Sequence, residues 1–203
     1  MRTVVTAGAL LAMALSVPVM ARANEAQDFA ICANATEFID RESPPEERLV
    51  ACNSVIKAHG AQPAAGDFYY RSTVYSALER PNEALADLDT ALALSAPDDV
   101  LRADYYLDRA EDILLAGLRT PDAALADTTA AIKIMSGRGR DPGAGYGEED
   151  LARAYFWRGG AYAQKKDKAQ ASADFETALS YSVDPKQREA MIKVMTALGY
   201  PQT

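Results

Sequence analysis

The sequence predicts an all-α fold, a solenoid of antiparallel helix pairs closed by a C-terminal capping helix. Three observations predict it. Apolar residues recur at helical spacing along most of the chain, one amphipathic helix motif appears three times, and each copy follows a second helix motif that also recurs. With 203 residues, 49% of them hydrophobic, and only 12 Gly and 10 Pro, the chain can bury a core.

The first 23 residues read as a secretory signal peptide. Arg2 gives a positive start, Val4 to Val17 is an apolar run that Pro18 breaks, and Ala21-Arg22-Ala23 is an A-x-A cleavage site. The run is shorter than the roughly 18 to 20 apolar residues of a spanning helix, so cleavage is expected rather than a stable membrane anchor. The mature chain would begin at Asn24 in the periplasm or outside the cell. Losing Arg2 and Arg22 leaves 19 basic residues against 29 acidic ones, a net charge of −10. Such a chain repels nucleic acid and anionic lipid.

Residues 24–62 form the first pair of helices. One is expected from about Ala26 to Asp40. The other starts after Ser43, whose spacing to Glu46 is that of a capping box, and ends at His59-Gly60. Cys32 and Cys52, the only cysteines, fall on these two helices. In an oxidising compartment they should form a disulfide stapling the pair. A redox pair or metal ligands would need a C-x-x-C or more than one histidine, so no metal or other cofactor is expected. His59 is expected to serve the helix end and its dipole.

Residues 63–184 carry three further pairs. The second helices are "NEALADLDTALAL" from Asn82, "DAALADTTAAIKI" from Asp122 and "AQASADFETALSY" from Ala169. Each has an Ala, an Asp three residues on and an Ala four further: Ala84, Asp87, Ala91; Ala124, Asp127, Ala131; Ala171, Asp174, Ala178. The first helices contain "FYYRSTVY", "YLDRAEDI" and "YFWRGGAY". Each has an aromatic (Phe68, Tyr106, Tyr155), an Arg before a small residue (Ser72, Ala110, Gly159), and a large residue three later (Tyr75, Ile113, Tyr162). A glycine inside a helix costs about 1 kcal/mol relative to Ala. Gly159 should therefore mark a close crossing of two helices. Arg71, Arg109 and Arg158 recur in step with Asp87, Asp127 and Asp174, which predicts an ion pair between the two helices of every unit.

This pattern resembles the tetratricopeptide repeat, a two-helix unit with the signature W-x2-L-G-x2-Y…A-x3-F. The resemblance runs from Ala64 to about Asp184 and implies a right-handed solenoid. Arginine replaces the expected leucine, and Thr128 stands where Leu88 and Phe175 fill the core. The units lie 40 residues apart from Ala84 to Ala124 and 47 from Ala124 to Ala171, against about 34 for the family, so insertions sit between helices. The Cys-bearing pair reads as a degenerate first unit, with Cys52 at the place of Leu88 and Phe175. Residues 185–203, beginning "PKQREAMIKVMTALGY", read as the capping helix and tail, with Asp184 as its cap. That makes nine helices.

The resemblance also implies a function class. First helices of the family line a groove that binds peptides or a partner's helix. Here that groove would be lined by Tyr69, Thr73, Asp104, Leu107, Glu111, Leu114, Arg153, Phe156, Gly160 and Gln164, with Gly160 leaving room for a ligand backbone. Tyr69, Leu107 and Phe156 could instead be covered by the neighbouring helix or by the Gly-rich loop. The expected role is a non-enzymatic interaction scaffold or adaptor of the bacterial cell envelope, holding a protein or peptide. The alternatives are a structural or self-associating envelope protein and, less favoured, a helical enzyme acting on cell-wall glycan.

The remaining motifs point away from catalysis. The Gly-rich insertion at 136–149 has a G-x-G-x-G but no G-K-[ST] and no preceding strand, so it is a linker or a flap rather than a phosphate loop. A Ser/His/Asp set would have to use His59. Glu111-Asp112 and Glu148-Glu149-Asp150 fall on polar helix faces or helix starts, where acids are ordinary.

Overall fold

The computed structural model describes residues 19–35, 42–137 and 146–201. Among them all regular structure is helical: α1 (Val19–Ala33), α2 (Pro45–His59), α3 (Ala65–Ala77), α4 (Pro81–Leu94), α5 (Arg102–Ala116), α6 (Pro121–Gly137), α7 (Glu148–Gln164), α8 (Lys168–Tyr181) and α9 (Pro185–Ala197). The helices α1, α3, α5 and α7 each pack most closely on the helix that follows, giving the pairs α1/α2, α3/α4, α5/α6 and α7/α8. Each second helix then packs on the first helix of the next pair, and α5 also meets α7 directly. α9 closes the stack against α8. None of these helices is long and apolar enough to cross a membrane.

The repeated motif explains why the pairs close. Ala84, Ala91, Ala124, Ala131, Ala171 and Ala178 are fully buried, so second helices approach their partners at alanine positions. The same core place is filled in the four pairs by Cys52, Leu88, Thr128 and Phe175, none more than 1% exposed. Thr128 is accommodated there because its hydroxyl donates to the Ala124 carbonyl at 2.8 Å, which removes the cost of burying it. The facing small residues Ser72, Ala110 and Gly159 are buried too. A Cβ on Gly159 would lie 2.7 Å from Cδ1 of Phe175, so this is the close crossing expected from its helix cost.

The first pair is stapled by the Cys32–Cys52 disulfide across 20 residues of chain. Replacing both cysteines with alanine should lower stability by about 2 to 3 kcal/mol, by the entropy of the loop they close. Urea unfolding checks this; an unchanged midpoint would refute it.

Local starts and stops differ from the sequence expectation at three places. α1 ends at Ala33 rather than near Asp40, because Asn34 turns into the left-handed region (φ 53°) and the Ala35 N–H returns to the Ala30 carbonyl. It begins at Val19, inside the segment assigned to the leader; residues 1–18 of that segment lie outside the described residues. The Ser43 and Glu46 capping box does not form. Pro45 takes the first helical position, and the Ser43 N–H donates to Asn34 Oδ1 instead. Asp184 does cap α9, accepting from the Lys186 N–H at 2.9 Å.

Candidate functional site

A ladder of arginines joins the pairs. Arg71 Nε and Nη2 donate to Asp87 at 2.7 and 2.8 Å, Arg109 to Asp127 at 2.8 and 2.7 Å, and Arg158 to Asp174 at 2.7 Å twice. All three are two-pronged contacts on carboxylates no more than 8% exposed. The aromatic that opens each unit, three residues earlier, lies against the same guanidinium: Phe68 at 5.5 Å, Tyr106 at 5.7 Å and Tyr155 at 5.0 Å. Arginine therefore replaces leucine without emptying the position. Its stem packs and its head pairs. Sequence reasoning missed a further contact: Arg71 Nη1 also reaches Asn53 and Arg109 Nη1 reaches Asp89, each on the second helix of the preceding pair. Asn53 and Asp89 directly follow Cys52 and Leu88. Thr129 holds the equivalent place before the third unit.

The first helices meet one another along one face. From α1 to α3, Phe29 meets Tyr70 edge-on at 5.6 Å. Between α3 and α5, Ser76 Oγ donates to Asp112 at 3.0 Å. From α7 back to α5, Arg153 Nη2 donates to Asp108 at 2.5 Å and Glu111 at 2.7 Å, and Gln164 Nε2 to the Leu114 carbonyl at 3.1 Å. Tyr146, at the exit of the Gly-rich insertion, donates its hydroxyl to Asp104 Oδ2 at 2.9 Å and contacts the Val100 carbonyl at the same distance. The rest of that insertion, 138–145, lies outside the described residues.

This face is acidic. Asp104, Asp108, Glu111 and Asp112 occupy successive turns of α5, and Arg153 is the cation bonded to two of them. Burial works against the Arg153 charge, but Asp108 and Glu111 outweigh it and hold the guanidinium firmly protonated. Burial also raises Asp104 above the ordinary carboxylate range. It pushes Asp112 up to about 6, assisted by Asp108 and Glu111 and opposed by the Ser76 hydrogen bond. Tyr69 is pushed up by burial and by Asp108 and Asp104. No group of three or more His, Cys, Asp or Glu side chains among the described residues is placed to hold a metal ion.

Asp112 gives a pH prediction with a definite sign. An acid whose folded pKa is raised binds its proton more tightly in the native state, so it costs stability once ionised. A rise from 3.8 to about 6 would carry about 3 kcal/mol in a fully buried group. Asp112 is half-buried, and water reduces that to about 1 kcal/mol. Asp112→Asn should therefore match the wild type near pH 3.5 and become about 1 kcal/mol more stable as pH rises through 6. Thermal unfolding against pH measures it; equal curves at pH 7.5 would refute the strain.

The predicted groove residues separate into two sets. Asp104, Glu111, Arg153, Gly160 and Gln164 belong to the shared first-helix face, and Thr73 lies at its edge, accepting from Arg48 Nη2 at 3.1 Å. Leu107, Leu114 and Phe156 do not line it. Leu107 is 1% exposed among Ala103, Ala131, Met135 and Ala154, Leu114 packs with Leu85 and Ile113, and Phe156 lies against Phe175. Tyr69 is turned onto Tyr105, 4.8 Å between ring centres. At this position, three residues before the small residue, Leu107 and Phe156 are buried by neighbouring helices while Tyr69 is only partly covered. One residue on stand Tyr70, Asp108 and Trp157, half-buried, which the sequence analysis did not single out.

His59 likewise does more than finish its helix. Gly60 (φ 56°) ends α2, its N–H bonded to the Ile56 carbonyl, while the imidazole reaches forward to Asp67, Nδ1 to Oδ2 2.6 Å. Its other nitrogen faces Glu25 at 3.5 Å, not a hydroxyl.

Comparison with known proteins agrees with this geometry. Residues 152–182, covering most of α7 and all of α8, match a tetratricopeptide repeat model. The fold matches the crystal structure of MamA with a TM-score of 0.56 at 18% sequence identity, covering 84% of this chain and 88% of that one. A comparison with curated protein sequences finds no match. Residues 152–182 thus match a tetratricopeptide repeat, and the helix pairs before it are built on the same Ala, Asp and Arg positions in a fold similar to that of MamA.

Proposed function

We propose that the chain is an exported, non-enzymatic scaffold of the bacterial cell envelope that holds an extended peptide segment of a partner against its first-helix face. The single observation that carries the proposal is the composition of that face. Asp104, Asp108, Glu111 and Asp112 offer acceptors, Tyr70 and Trp157 offer aromatic surface, and Gly160 leaves backbone room, a Cβ there meeting only Leu114 Cδ1 at 3.8 Å. Four carboxylates around one arginine favour a segment bearing Lys or Arg, whose charge would compete with Arg153 for Asp108 and Glu111. Export follows from the leader-like residues 1–23 and is consistent with the Cys32–Cys52 disulfide.

The test is binding of labelled Lys/Arg-rich and Glu-rich peptides by fluorescence anisotropy at two salt concentrations. The basic peptides should bind, more weakly in high salt, and Asp108→Asn/Glu111→Gln should weaken them at least tenfold without changing the circular dichroism spectrum. Equal binding by that variant would remove the groove. Fractionation with N-terminal sequencing tests export: a periplasmic chain beginning at Asn24 supports it, a cytoplasmic chain beginning at Met1 removes it. Self-association is the second reading, favoured by Val183, Val194 and Leu198 at the C-terminal end, which are 44 to 65% exposed.

A further inference from the structure

We propose that the corner where α1, α2 and α3 meet is a pH-set clasp, in which protonation of His59 fastens the N-terminal half of α1 and its neutralisation releases it. His59 ends α2 between two carboxylates, Asp67 from α3 and Glu25 from α1, which are the acids facing it from the helices packed there. Its own helix adds Lys57 in the last turn. Asp67 is buried and already accepts the Ala64 N–H at 2.8 Å, so it serves only as an acceptor and claims the Nδ1 hydrogen. A neutral imidazole carries a single N–H. With that N–H on Asp67, Nε2 presents a lone pair to the Glu25 carboxylate, and the two repel. The imidazolium carries a second N–H, and only then does Nε2 bond Glu25. The Glu25 contact is therefore a contact of the protonated ring.

The rest of α1 is fixed differently. The disulfide, the Arg48 bonds to the Cys32 carbonyl at 3.0 and 3.1 Å and the Asn34 bond to Ser43 all hold its C-terminal end. Phe29 on Tyr70 and Asp28 accepting from Ser54 Oγ at 2.6 Å hold its middle. Ahead of Asp28, Glu25 is the side chain bonded across to another helix among the described ones. The hydrogen bond to Asp67, with the charges of Asp67 and Glu25, raises the His59 pKa above its ordinary 6.5 against the opposing effect of burial. A raised folded pKa means the clasp is complete below 6.5 and is lost as pH rises through the higher folded value.

Hydrogen exchange read by NMR, with a ring titration of His59, tests the clasp on the chain as isolated from its cells. His59 should titrate above 6.5. Corrected for intrinsic exchange rates, protection of residues 28–30, whose amides bond the carbonyls of residues 24–26, should fall about two- to fivefold between pH 5.5 and 8.5, the range expected for a partly exposed ion pair, while α8 stays constant. In Glu25→Gln the amide can donate to a neutral Nε2, so protection there should no longer follow pH. Glu25 is 41% exposed, so this variant keeps its fold. His59 titrating at or below 6.5, residues 28–30 tracking α8, or Glu25→Gln retaining the wild-type dependence would each overturn the proposal.

Discussion

Gly159→Val is expected to destabilise the protein by about 3 kcal/mol or more, while Gly160→Ala, one residue on, is expected to stabilise it by about 0.5 to 1 kcal/mol. The two glycines differ in what stands over them. A Cβ on Gly159 would sit 2.7, 2.8 and 3.2 Å from Cδ1, Cε1 and Cγ of Phe175, closer than atoms pack. Phe175 has nowhere to retreat: it is 1% exposed, with Phe156 at 5.7 Å and Tyr200 at 5.2 Å between ring centres. Overpacking of this kind costs about 1 to 3 kcal/mol for a methyl-sized intrusion and more for a branched one. Gly159→Ala should therefore lose about 1 to 2 kcal/mol even after the roughly 1 kcal/mol that alanine gains in helix propensity. Over Gly160 the nearest atom is Leu114 Cδ1 at 3.8 Å, an ordinary contact, so alanine there keeps its propensity gain. At this chain length 3 kcal/mol lowers the melting temperature by about 6 to 12 °C. Calorimetry of the three variants decides it; equal effects at 159 and 160 would remove the close crossing as the reason for the glycine.

Much of this architecture was legible in the sequence because it is repeated. Three independent copies of Ala, Asp and Ala on one helix and Arg and a small residue on the other define which faces meet, and the three Arg–Asp pairs form as that recurrence predicts. Contacts between repeats were harder to read. Asn53 and Asp89 reach the arginine of the following unit, and nothing local distinguishes them from solvent-facing polar residues after Cys52 and Leu88. The same limit misplaced Leu107, Leu114 and Phe156. A first helix in a stack touches its own partner, the previous unit and the next, so an apolar residue beside its outer stripe is covered by a neighbour that periodicity alone does not reveal. Asp104, Asp108 and Glu111, on another side of α5, are half-buried on the face that the first helices share. At Ser43 two consecutive prolines allow either start for α2, and the capping-box spacing of Ser43 to Glu46 could not say which.

Breaking one rung of the arginine ladder should cost about 3 to 5 kcal/mol, the effect of removing one partner of a buried ion pair. In Arg158→Met the methionine keeps much of the stem that packs on Tyr155 but leaves Asp174, whose side chain is 6% exposed, with no cation. The carboxylate must then be stripped of water uncompensated or take up a proton, so part of the loss should be recovered at pH 4 and none at pH 8. The matched control is Arg80→Met. Arg80 pairs with Glu83 at 2.6 Å, but both side chains are more than 40% exposed, and that pair should contribute little to stability. The ladder also contains a gap that can be filled. Thr129, exposed on α6, occupies the place from which Asn53 and Asp89 reach the next arginine. Thr129→Asp should bring Arg158 a second acid and add about 0.5 kcal/mol in low salt, fading as salt rises. Urea unfolding of Arg158→Met, Arg80→Met and Thr129→Asp at pH 4 and 8 separates these effects. Equal losses from the two arginine variants would show that the recurring pairs merely face water. A large loss at Arg158 with no gain at Thr129 would confine the coupling to the helices of one unit, leaving apolar packing alone to set the register between units.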